Sequence, residues 1–379
     1  MRIGLYGRGL ANKAGIGRYT RELFRALAQL ESPHEFVVFA GPNVPLADIP
    51  ASFEVVKLGG NGDRVIEEQL HLARSLASAR LDVFHNPDFT LPLRLPRSLK
   101  TVVTIHDVAY LRLPKSNSVR SKVLLGLLVP KSVRRADAII TVSEFSKREV
   151  VDVYRAPASK ITAIPNGVDP RFRRQSPEEI QRIREKYGLP SKGLVLYVGG
   201  IEERKNLERL AEAVALLPGV TLAIAGGKNR GGEQIMDSVR SILGGQSGGL
   251  TTKAQRHKDE RLLELGFFPD EDLPGLYAAA DVFAYPSLYE GFGIPPLEAM
   301  GCGTVAAASN ATSVPEAVGD AAVMFAPLDV RAMSCAIKQA LTDIDLRKTL
   351  IERGTARAAS FTWASVARQT MDVYNRLAI

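Results

Sequence analysis

Two glutamates separated by seven residues, Glu290 and Glu298, offer the clearest chemistry in the sequence. The glycines between them let a ligand approach the backbone, and the Pro-Pro pair suits the first turn of a helix that Gly301 and Gly303 then end. The pattern predicts Glu290 on a loop and Glu298 in the first helical turn, where both carboxylates can accept hydrogen bonds from vicinal hydroxyls of a sugar or ribose. The alternative is a solvated Glu290 and a Glu298 that only complements the helix dipole.

A second pattern places two cations after a strand and a glycine turn. Residues 194–198 form the apolar run that is typical of a buried strand, and Gly199 opens the turn after it. Arg204 and Lys205 follow, and two fixed cations at a strand end can hold a diphosphate and stabilise the charge that develops as it leaves. The alternative is a solvated basic loop.

Strand-like and helix-like segments alternate around these motifs. The predicted strands are residues 1–6, 36–39, 53–58, 82–85, 101–105, 138–142, 194–198, 222–225, 265–269, 282–285 and 305–308. This alternation favours parallel α/β sheets, in which ligands bind beyond the carboxyl ends of the strands. His106 directly follows one predicted strand, where an imidazole can contact a substrate or stabilise charge. A purely structural role at the strand end is the alternative.

A glycine-rich loop over residues 7–17 follows the first strand, and a helix is predicted from Arg18. Free backbone N–H groups at a helix N-terminus form a natural phosphate site, so this loop is a candidate for ligand contact. Ordinary turn chemistry is the alternative, because the spacing departs from the dinucleotide-binding fingerprint.

Weaker candidates occur at three other loops. Gly226 ends a predicted strand and is a plausible neighbour of a nucleotide. Thr312 and Ser313 precede a predicted helix, where their hydroxyls either touch phosphate or cap the helix. Asn166 lies in the turn Pro-Asn-Gly-Val-Asp, just before a change in composition. Residues 171–189 are predicted as linker and entry helix, and the polar, glycine-rich residues 244–258 as a mobile loop.

Composition excludes several classes of protein. The 379 residues are sufficient for two domains, and 45% hydrophobic with 24% charged residues is ordinary for a globular protein. Two cysteines cannot form a disulfide framework and fit a reducing cytosol. Neither a signal peptide nor a transmembrane segment is expected, so a cytoplasmic location is predicted. A net charge of +8 favours anionic partners such as phosphates, nucleotides or a membrane surface, and does not single out nucleic acid.

Residues 94–135 carry ten basic residues and one acidic residue, interleaved with leucines. Such a segment can lie on an anionic membrane, which would suit a lipid-linked acceptor at the inner face of the cell membrane. The alternative is a helix that packs its leucines inward and solvates its bases.

Taken in order, the glycine loop, His-Asp, Pro-Asn-Gly-Val-Asp, Arg-Lys-Asn and Glu-x7-Glu motifs cover nearly the whole chain. With them the chain resembles the retaining glycosyltransferases of family 4, or group 1, which include many bacterial mannosyltransferases. The resemblance implies an α/β protein of the GT-B class, in which two Rossmann-like domains face each other across a cleft that holds the active site. It implies an acceptor domain over residues 1–170, a donor domain over 190–355, and a C-terminal helix over 361–379 that packs back on the acceptor domain.

The resemblance also implies roles for the candidate residues. Glu298 would accept the ribose hydroxyls of the donor, Glu290 the hydroxyls of the transferred sugar, and His106 would face that sugar. Arg204 and Lys205 would hold the leaving diphosphate in place of a metal, so no cofactor and no metal are expected. Further contacts to the donor are expected from the backbone of Gly15, Gly17, Gly199, Gly226, Gly293 and Ile294. Lesser candidates for contact with the acceptor or a phosphate are the polar side chains of Arg18, Asn166, Thr312 and Ser313.

The predicted function is the transfer of a hexose, with retained configuration, to a glycan or lipid-linked acceptor in cell-surface polysaccharide synthesis. Mannose from GDP-mannose is favoured, and glucose from UDP-glucose stays open. Three alternatives remain: a glycoside hydrolase, which also uses paired carboxylates; an NAD-dependent oxidoreductase, which shares the α/β layers; and a non-catalytic nucleotide-sugar-binding protein.

Overall fold

The computed structural model describes residues 1–12, 15–60, 63–113, 119–229, 231–244 and 261–377. The described residues form two compact units. The first is built from 1–112, 119–167 and 362–377, and the second from residue 113 together with 168–229, 231–244 and 261–361. Residues 245–258, most of the predicted mobile loop, lie outside the described residues.

The first unit is built on a parallel sheet of seven described strands in the order β3-β2-β1-β4-β5-β6-β7. The strands are β1 (Arg2–Tyr6), β2 (Glu35–Ala40), β3 (Glu54–Lys57), β4 (Val83–Asn86), β5 (Lys100–Ile105), β6 (Ala138–Thr141) and β7 (Ile161–Ala163). The central strands are apolar and almost fully buried, as expected for parallel strands that are covered on both faces.

The helices of this unit alternate with its strands. They are α1 (Gly15–Ala28), α2 (Arg64–Ile66), α3 (Ala73–Ser78), α4 (Ala109–Arg112), α5 (Val119–Arg135) and α6 (Glu144–Tyr154). A π-helical segment, Glu67–Leu72, joins α2 to α3. Ser143 caps α6, because its hydroxyl accepts the N–H of Ser146.

The second unit repeats the arrangement with six described strands in the order β10-β9-β8-β11-β12-β13. These are β8 (Leu194–Val198), β9 (Thr221–Ala225), β10 (Leu262–Gly266), β11 (Val282–Tyr285), β12 (Val305–Ser309) and β13 (Ala322–Phe325). Its helices are α7 (Pro177–Tyr187), α8 (Leu207–Ala215), α9 (Gly232–Leu243), α10 (Leu273–Ala279), α11 (Ile294–Gly301), α12 (Val314–Val318), α13 (Val330–Thr342) and α14 (Ile344–Ala359).

In both sheets the strand order reverses beside the first strand of the unit, between β1 and β4 and between β8 and β11. Helices that leave such adjacent strands depart to opposite sides, so a crevice opens at the carboxyl ends. Each unit therefore carries a ready place for a ligand at the point of reversal.

The final helix, α15 (Trp363–Leu377), belongs to the first unit, and its N-terminal residue Trp363 lies edge-on to Tyr19 of α1 with ring centroids 5.9 Å apart. The predicted linker, by contrast, is part of the second unit. Asp272 at the start of α10 accepts from Arg182 of α7 at 2.7 Å, and it also pairs with Lys186. These ion pairs fix α7 against α10, so residues 171–189 do not form a free connection.

Several predicted boundaries are wrong. The strand expected over 265–269 is formed instead by Leu262–Gly266, where Leu262 pairs with Leu222 of β9 and the positive φ of Gly266 ends the strand. Helix α1 begins at Gly15 rather than at Arg18. The sequence analysis missed β7 and β13, because both are short strands at sheet edges with weak alternation.

Candidate active site

The candidate site of the second unit forms where two neighbouring strands end. Beyond β8 come Gly199 and a 3₁₀ turn that carries Arg204 and Lys205, and beyond β11 comes the loop with Glu290. Because β8 and β11 are adjacent at the reversal of strand order, side chains 85 positions apart in the sequence meet there.

Glu290 joins the two predicted cations in one cluster. Lys205 Nζ donates to Glu290 Oε1 at 2.6 Å, and Arg204 Nη1 donates to Glu290 Oε2 at 2.9 Å. Arg204 also donates to the Tyr289 carbonyl at 3.1 Å and lies 2.7 Å from Glu202. The side chains of Lys205 and Glu290 are each only 9% exposed. The two motifs that are separate in the sequence therefore form one buried ion-pair network, and Glu290 is not a solvated loop residue.

The charges in this network shift one another's pKa. Burial opposes the charge on Glu290, but the Lys205 and Arg204 cations outweigh it and lower the pKa of Glu290 to about 2. Burial and the repulsion of Arg204 lower the pKa of Lys205, and the attraction of Glu290 offsets this only in part. Glu290 is thus ionised at neutral pH, and additional negative charge near Lys205 would stabilise its ammonium form.

Neighbouring polar side chains hold the backbone of this network. Asn206 has a left-handed φ of 61°, and its amide donates to carbonyls of the loops after β11 and β13 at 3.1 and 2.7 Å. Thr312 Oγ1 accepts the Glu290 N–H at 3.1 Å, and Ser313 Oγ lies 2.8 Å from the Glu290 carbonyl as a donor. Ser313 precedes α12 without capping it through its side chain. The structure therefore gives both hydroxyls a third role, which is to fix the loop of Glu290.

Glu298 is the second buried carboxylate, with 2% of the residue exposed. It is the fifth residue of α11 and so lies in the second turn, which corrects the prediction of the first turn. The Tyr277 hydroxyl donates to Glu298 Oε2 at 2.9 Å. Tyr277 was missed in the sequence, because it lies on another helix and has no local signal of function. Its hydrogen bond orients one carboxylate oxygen.

The candidate glycines of this unit permit close backbone approach. Gly293 adopts a φ of 109° directly before Ile294, the first residue of α11. A Cβ on Gly226 would lie 1.8 Å from the carbonyl oxygen of Gly199, so the two strand exits pack backbone against backbone. Gly199 itself has a φ of 154°. These glycines are required by the fold at the site edge, whatever ligand they approach.

In the first unit, His106 is half-buried at the end of β5. Its Nε2 lies 2.9 Å from the Pro87 carbonyl, so Nε2 carries the proton in that bond. The Tyr19 and Phe89 rings meet the imidazole edge-on, with centroids 4.8 and 5.6 Å away. Burial lowers the pKa of His106 below its ordinary value, and the Pro87 carbonyl opposes this shift only partly. A neutral imidazole with a fixed tautomer follows.

A buried polar chain, whose partners are not evident from the local sequence, lies behind His106. His85 bonds the Tyr374 hydroxyl of α15 at 2.6 Å through Nδ1 and the Thr104 hydroxyl at 2.8 Å through Nε2. Thr104 in turn lies 3.4 Å from the Tyr19 hydroxyl. Burial lowers the pKa of His85 to about 3, so this chain is neutral. It connects the C-terminal helix to the ring that packs on His106.

The remaining candidates of the first unit do not gather at His106 through any described contact. Gly15 begins α1, and Gly17 lies in its first turn, where a Cβ would overlap the Asn12 carbonyl oxygen at 1.6 Å. Gly17 is therefore required for packing. Arg18 is half-buried on α1. Asn166 is buried, and its Oδ1 has no hydrogen-bond partner among the described residues.

Other expectations concern metal and membrane. Within the described residues, no three His, Cys, Asp or Glu side chains gather as a metal site would require, and the prediction of metal-free chemistry stays a prediction. No helix in the described part of the chain has the length and apolar character that crossing a bilayer demands. Of the basic segment, residues 114–118 lie outside the described residues.

Comparison with known proteins was made by sequence and by fold. The model of the family "Glycosyl transferases group 1" matches residues 179–357, and that of "Glycosyltransferase Family 4" matches residues 14–172. The chain is 35% identical over 384 residues to the O-antigen chain mannosyltransferase B of Escherichia coli, a match that covers 96% of both chains.

Solved structures agree with this result at the level of the fold. Sucrose-phosphate synthase from Thermosynechococcus elongatus is similar with a TM-score of 0.80 and 22% identity, over 99% of this chain and 98% of the other. Anabaena HepE in complex with UDP-glucose is similar with a TM-score of 0.74 and 20% identity, over 99% and 100%. The neighbours are GT-B glycosyltransferases, so the predicted fold class is confirmed.

Proposed function

The chain belongs to glycosyltransferase family 4, the group 1 glycosyltransferases, and we propose that it transfers a mannosyl residue from GDP-mannose to a glycan or lipid-linked acceptor in cell-surface polysaccharide synthesis. Because the chain is a glycosyltransferase, the oxidoreductase, hydrolase and non-catalytic alternatives are set aside. The choice of mannose rests on similarity to the E. coli mannosyltransferase over nearly the full length of both chains.

The observation that carries the proposal is the ion-pair network at the end of β8 and β11. Arg204 and Lys205 present two cations at a low-exposure site, where a diphosphate is held by charge-assisted hydrogen bonds. As the sugar leaves, negative charge grows on the β-phosphate oxygens, and cations that are already in place lower the barrier without reorganising. The guanidinium of Arg204 suits two phosphate oxygens at once, whereas Lys205 acts as a point charge.

Glu298 completes donor recognition in this proposal. Its Oε2 is already bonded by Tyr277, which fixes the carboxylate so that it can accept a ribose hydroxyl. A buried carboxylate that is left without a hydrogen-bond donor costs free energy. Glu298 therefore favours a ribonucleotide, whose ribose hydroxyl is such a donor, over a bare phosphate. Gly293 and Ile294, which precede Glu298 in the same segment of the chain, supply backbone groups for donor contact.

For the chemical step, we infer a front-face attack with retention of configuration, assisted by the departing phosphate. His106 enters the proposed reaction as a neutral imidazole, since its Nε2 proton is held by the Pro87 carbonyl. Because two side-chain cations neutralise the leaving group, the reaction is expected to need no divalent metal.

The test is a transfer assay with GDP-mannose and UDP-glucose, each supplied with a mannose-terminated glycan and a lipid-linked glycan, in the presence of EDTA. The expected result is EDTA-insensitive transfer from GDP-mannose, with an α-linked product by NMR. Transfer from neither donor to either acceptor would overturn the proposed activity, and transfer from UDP-glucose alone would replace mannose by glucose. Loss of activity with EDTA, restored by Mg²⁺, would refute the metal-free step.

We also propose that the enzyme works in the cytoplasm at the inner face of the membrane. Val123 and Leu127 of α5 are each 57% exposed, and Lys131 is exposed one turn further along the same helix face. We call these three residues the α5 stripe. An apolar pair followed by a base suits a surface of anionic lipid.

Co-sedimentation with vesicles tests the α5 stripe. Wild-type protein should bind vesicles that contain anionic phosphatidylglycerol better than neutral vesicles, and Leu127→Glu should weaken that binding several-fold. Leu328→Glu is the matched control, because Leu328 is 66% exposed in the second unit and outside the stripe. Equal binding of wild type to anionic and neutral vesicles would refute the membrane proposal, and equal binding of anionic vesicles by all three proteins would refute the role of the α5 stripe.

A further inference from the structure

Glu290 occupies both cations of the proposed diphosphate site. One of its carboxylate oxygens lies 2.6 Å from Lys205 Nζ and the other lies 2.9 Å from Arg204 Nη1. Each oxygen thus holds one cation, as a phosphate oxygen would. The Glu290 carboxylate therefore binds the same two cations that are proposed to bind the diphosphate.

The backbone of the Glu290 loop is held in place by neighbouring side chains, while the carboxylate itself is held by the two cations. Thr312 accepts its N–H at 3.1 Å, Ser313 lies 2.8 Å from its carbonyl, and Arg204 bonds the preceding carbonyl of Tyr289 at 3.1 Å. A diphosphate that binds these cations therefore has to share them with a fixed negative charge. Inside a protein the repulsion between like charges is several times stronger than in water.

We propose that Glu290 limits the affinity of the nucleoside diphosphate product, because its carboxylate competes with the diphosphate for Lys205 and Arg204 and so promotes product release. This inference rests on the proposed function, since it requires a nucleotide donor. A role in release is separate from contact with the transferred sugar, because the free product carries no sugar. In an enzyme whose product leaves slowly, such competition raises turnover.

The two glutamates of the motif then have opposite effects on nucleotide binding. Glu290 opposes the diphosphate, since it holds the cations that the diphosphate needs. Glu298 accepts a hydrogen bond from the neutral hydroxyl of Tyr277, and its proposed partner in the ligand is the neutral ribose. Neutralising Glu290 should tighten nucleotide binding, whereas neutralising Glu298 should weaken it. A general effect of net charge would tighten both.

Isothermal titration with GDP, UDP and inorganic pyrophosphate tests this in wild type, Glu290→Gln and Glu298→Gln. The control is Glu233→Gln, because Glu233 pairs with Lys228 at the same 2.6 Å but is 56% exposed. Glu290→Gln should bind the preferred nucleotide and pyrophosphate about tenfold more tightly, with slower release in stopped-flow chase. Glu298→Gln should bind the nucleotide about tenfold more weakly and pyrophosphate as wild type does. Glu233→Gln should match wild type throughout.

The outcomes separate the inference from the proposed function. If wild type binds GDP or UDP and Glu290→Gln binds it equally or more weakly, the inference is wrong and the proposed function stands. If wild type binds neither nucleotide, both fall together. Glu290→Ala gives a second test should the glutamine variant fail to unfold cooperatively, because alanine removes the charge without burying an amide. Tighter binding by either folded variant supports the inference.

Discussion

The two units share a reversal of strand order beside their first strand, but they carry opposite kinds of chemistry at the strand ends near that reversal. In the second unit, the ends of β8 and β11 bring together a buried carboxylate and two cations. In the first unit, His85 of β4 and Thr104 of β5 join the Tyr374 and Tyr19 hydroxyls in a neutral chain, and the Tyr19 ring packs on His106. The difference shows that one scaffold carries a buried charged network in one unit and a neutral hydrogen-bonded chain in the other, according to the residues at its strand ends.

The two sites should therefore respond differently to mutation and to pH. Breaking a buried ion pair leaves an uncompensated charge in a low-dielectric environment, whereas losing one neutral hydrogen bond costs far less. Each prediction below tests whether the second unit depends on charge and the first unit does not.

The largest effect is expected for Lys205→Met. Removing this cation leaves Glu290 with Arg204 alone, so the free energy of unfolding should fall by about 3 kcal/mol and the transfer rate by about 10²–10³-fold. Chemical denaturation and initial rates measure the two effects. Lys228→Met is the control, because it breaks an exposed pair of the same 2.6 Å length and should change stability by less than about 0.5 kcal/mol. Equal effects of both variants would contradict a special role of burial.

Acid should destabilise the second unit through Glu290. The folded-state pKa, about 2, lies below the ordinary value of 4.5, so the stabilisation is complete above pH 4.5 and is lost as the pH falls toward 2. The difference in unfolding free energy between pH 5 and pH 2 should be about 3 kcal/mol larger in wild type than in Glu290→Gln. Urea titrations at both pH values measure it. Parallel pH profiles would show that Glu290 does not carry this dependence.

Glu298→Gln tests the part of the donor site that is proposed to bind the neutral ribose. The loss of a charged acceptor for ribose, with Tyr277 still in place, should raise the KM for the donor by about 10–100-fold and change kcat less. Steady-state kinetics with the preferred donor give both constants. A fall in kcat at unchanged KM would place Glu298 in the chemical step instead.

In the first unit, Tyr374→Phe removes one hydroxyl from the neutral chain. His85 then loses its Nδ1 partner, so stability should fall by about 1–2 kcal/mol, mainly at α15. Hydrogen exchange of the C-terminal helix locates the loss. Tyr187→Phe is a matched change, since Tyr187 also gives up one hydroxyl bond, to Asp272, but in the second unit. If Tyr374→Phe left exchange in α15 unchanged, the chain would not anchor that helix.

The smallest expected effect concerns His106, whose protonation should not change the transfer rate near pH 6.5. Because burial lowers the pKa of His106, its imidazole stays neutral as the pH falls from 8 through 6.5, the ordinary pKa of histidine. The transfer rate should not follow a titration near 6.5 that depends on His106. Comparing the pH–rate profiles of wild type and His106→Asn checks this. A wild-type inflection near 6.5 that the variant lacks would show that His106 titrates normally.

The sequence predicted the second-unit site better than the first. Arg204, Lys205 and Glu290 lie at strand ends beside glycines, and charged groups in such positions give a local signal. The pairing of these three residues could not be predicted from the local sequence, because it depends on β8 and β11 being neighbours in the sheet. Tyr277 gave no signal, and the position of His85 at a strand end gave only a weak one, because their hydrogen bonds reach residues 21 and 289 positions away.

Element boundaries failed where tertiary contacts override local pattern. The entry helix predicted within residues 171–189 is α7, but its attachment to α10 through the distant Asp272 gave no local signal. Gly17 is required for packing on the Asn12 carbonyl rather than as an open turn. Apolar central strands such as β8 and β11 were predicted to the residue, since full burial on both faces leaves a continuous apolar run.

The central claim is that Lys205 and Arg204 bind the diphosphate of the donor. Its most direct test is a calorimetric titration of wild type and Lys205→Met with the preferred nucleoside diphosphate and with the corresponding nucleoside. The account predicts that the diphosphate improves affinity at least about 100-fold in wild type and less than about tenfold in the variant. An equal gain from the diphosphate in both proteins would mean that the phosphates bind elsewhere.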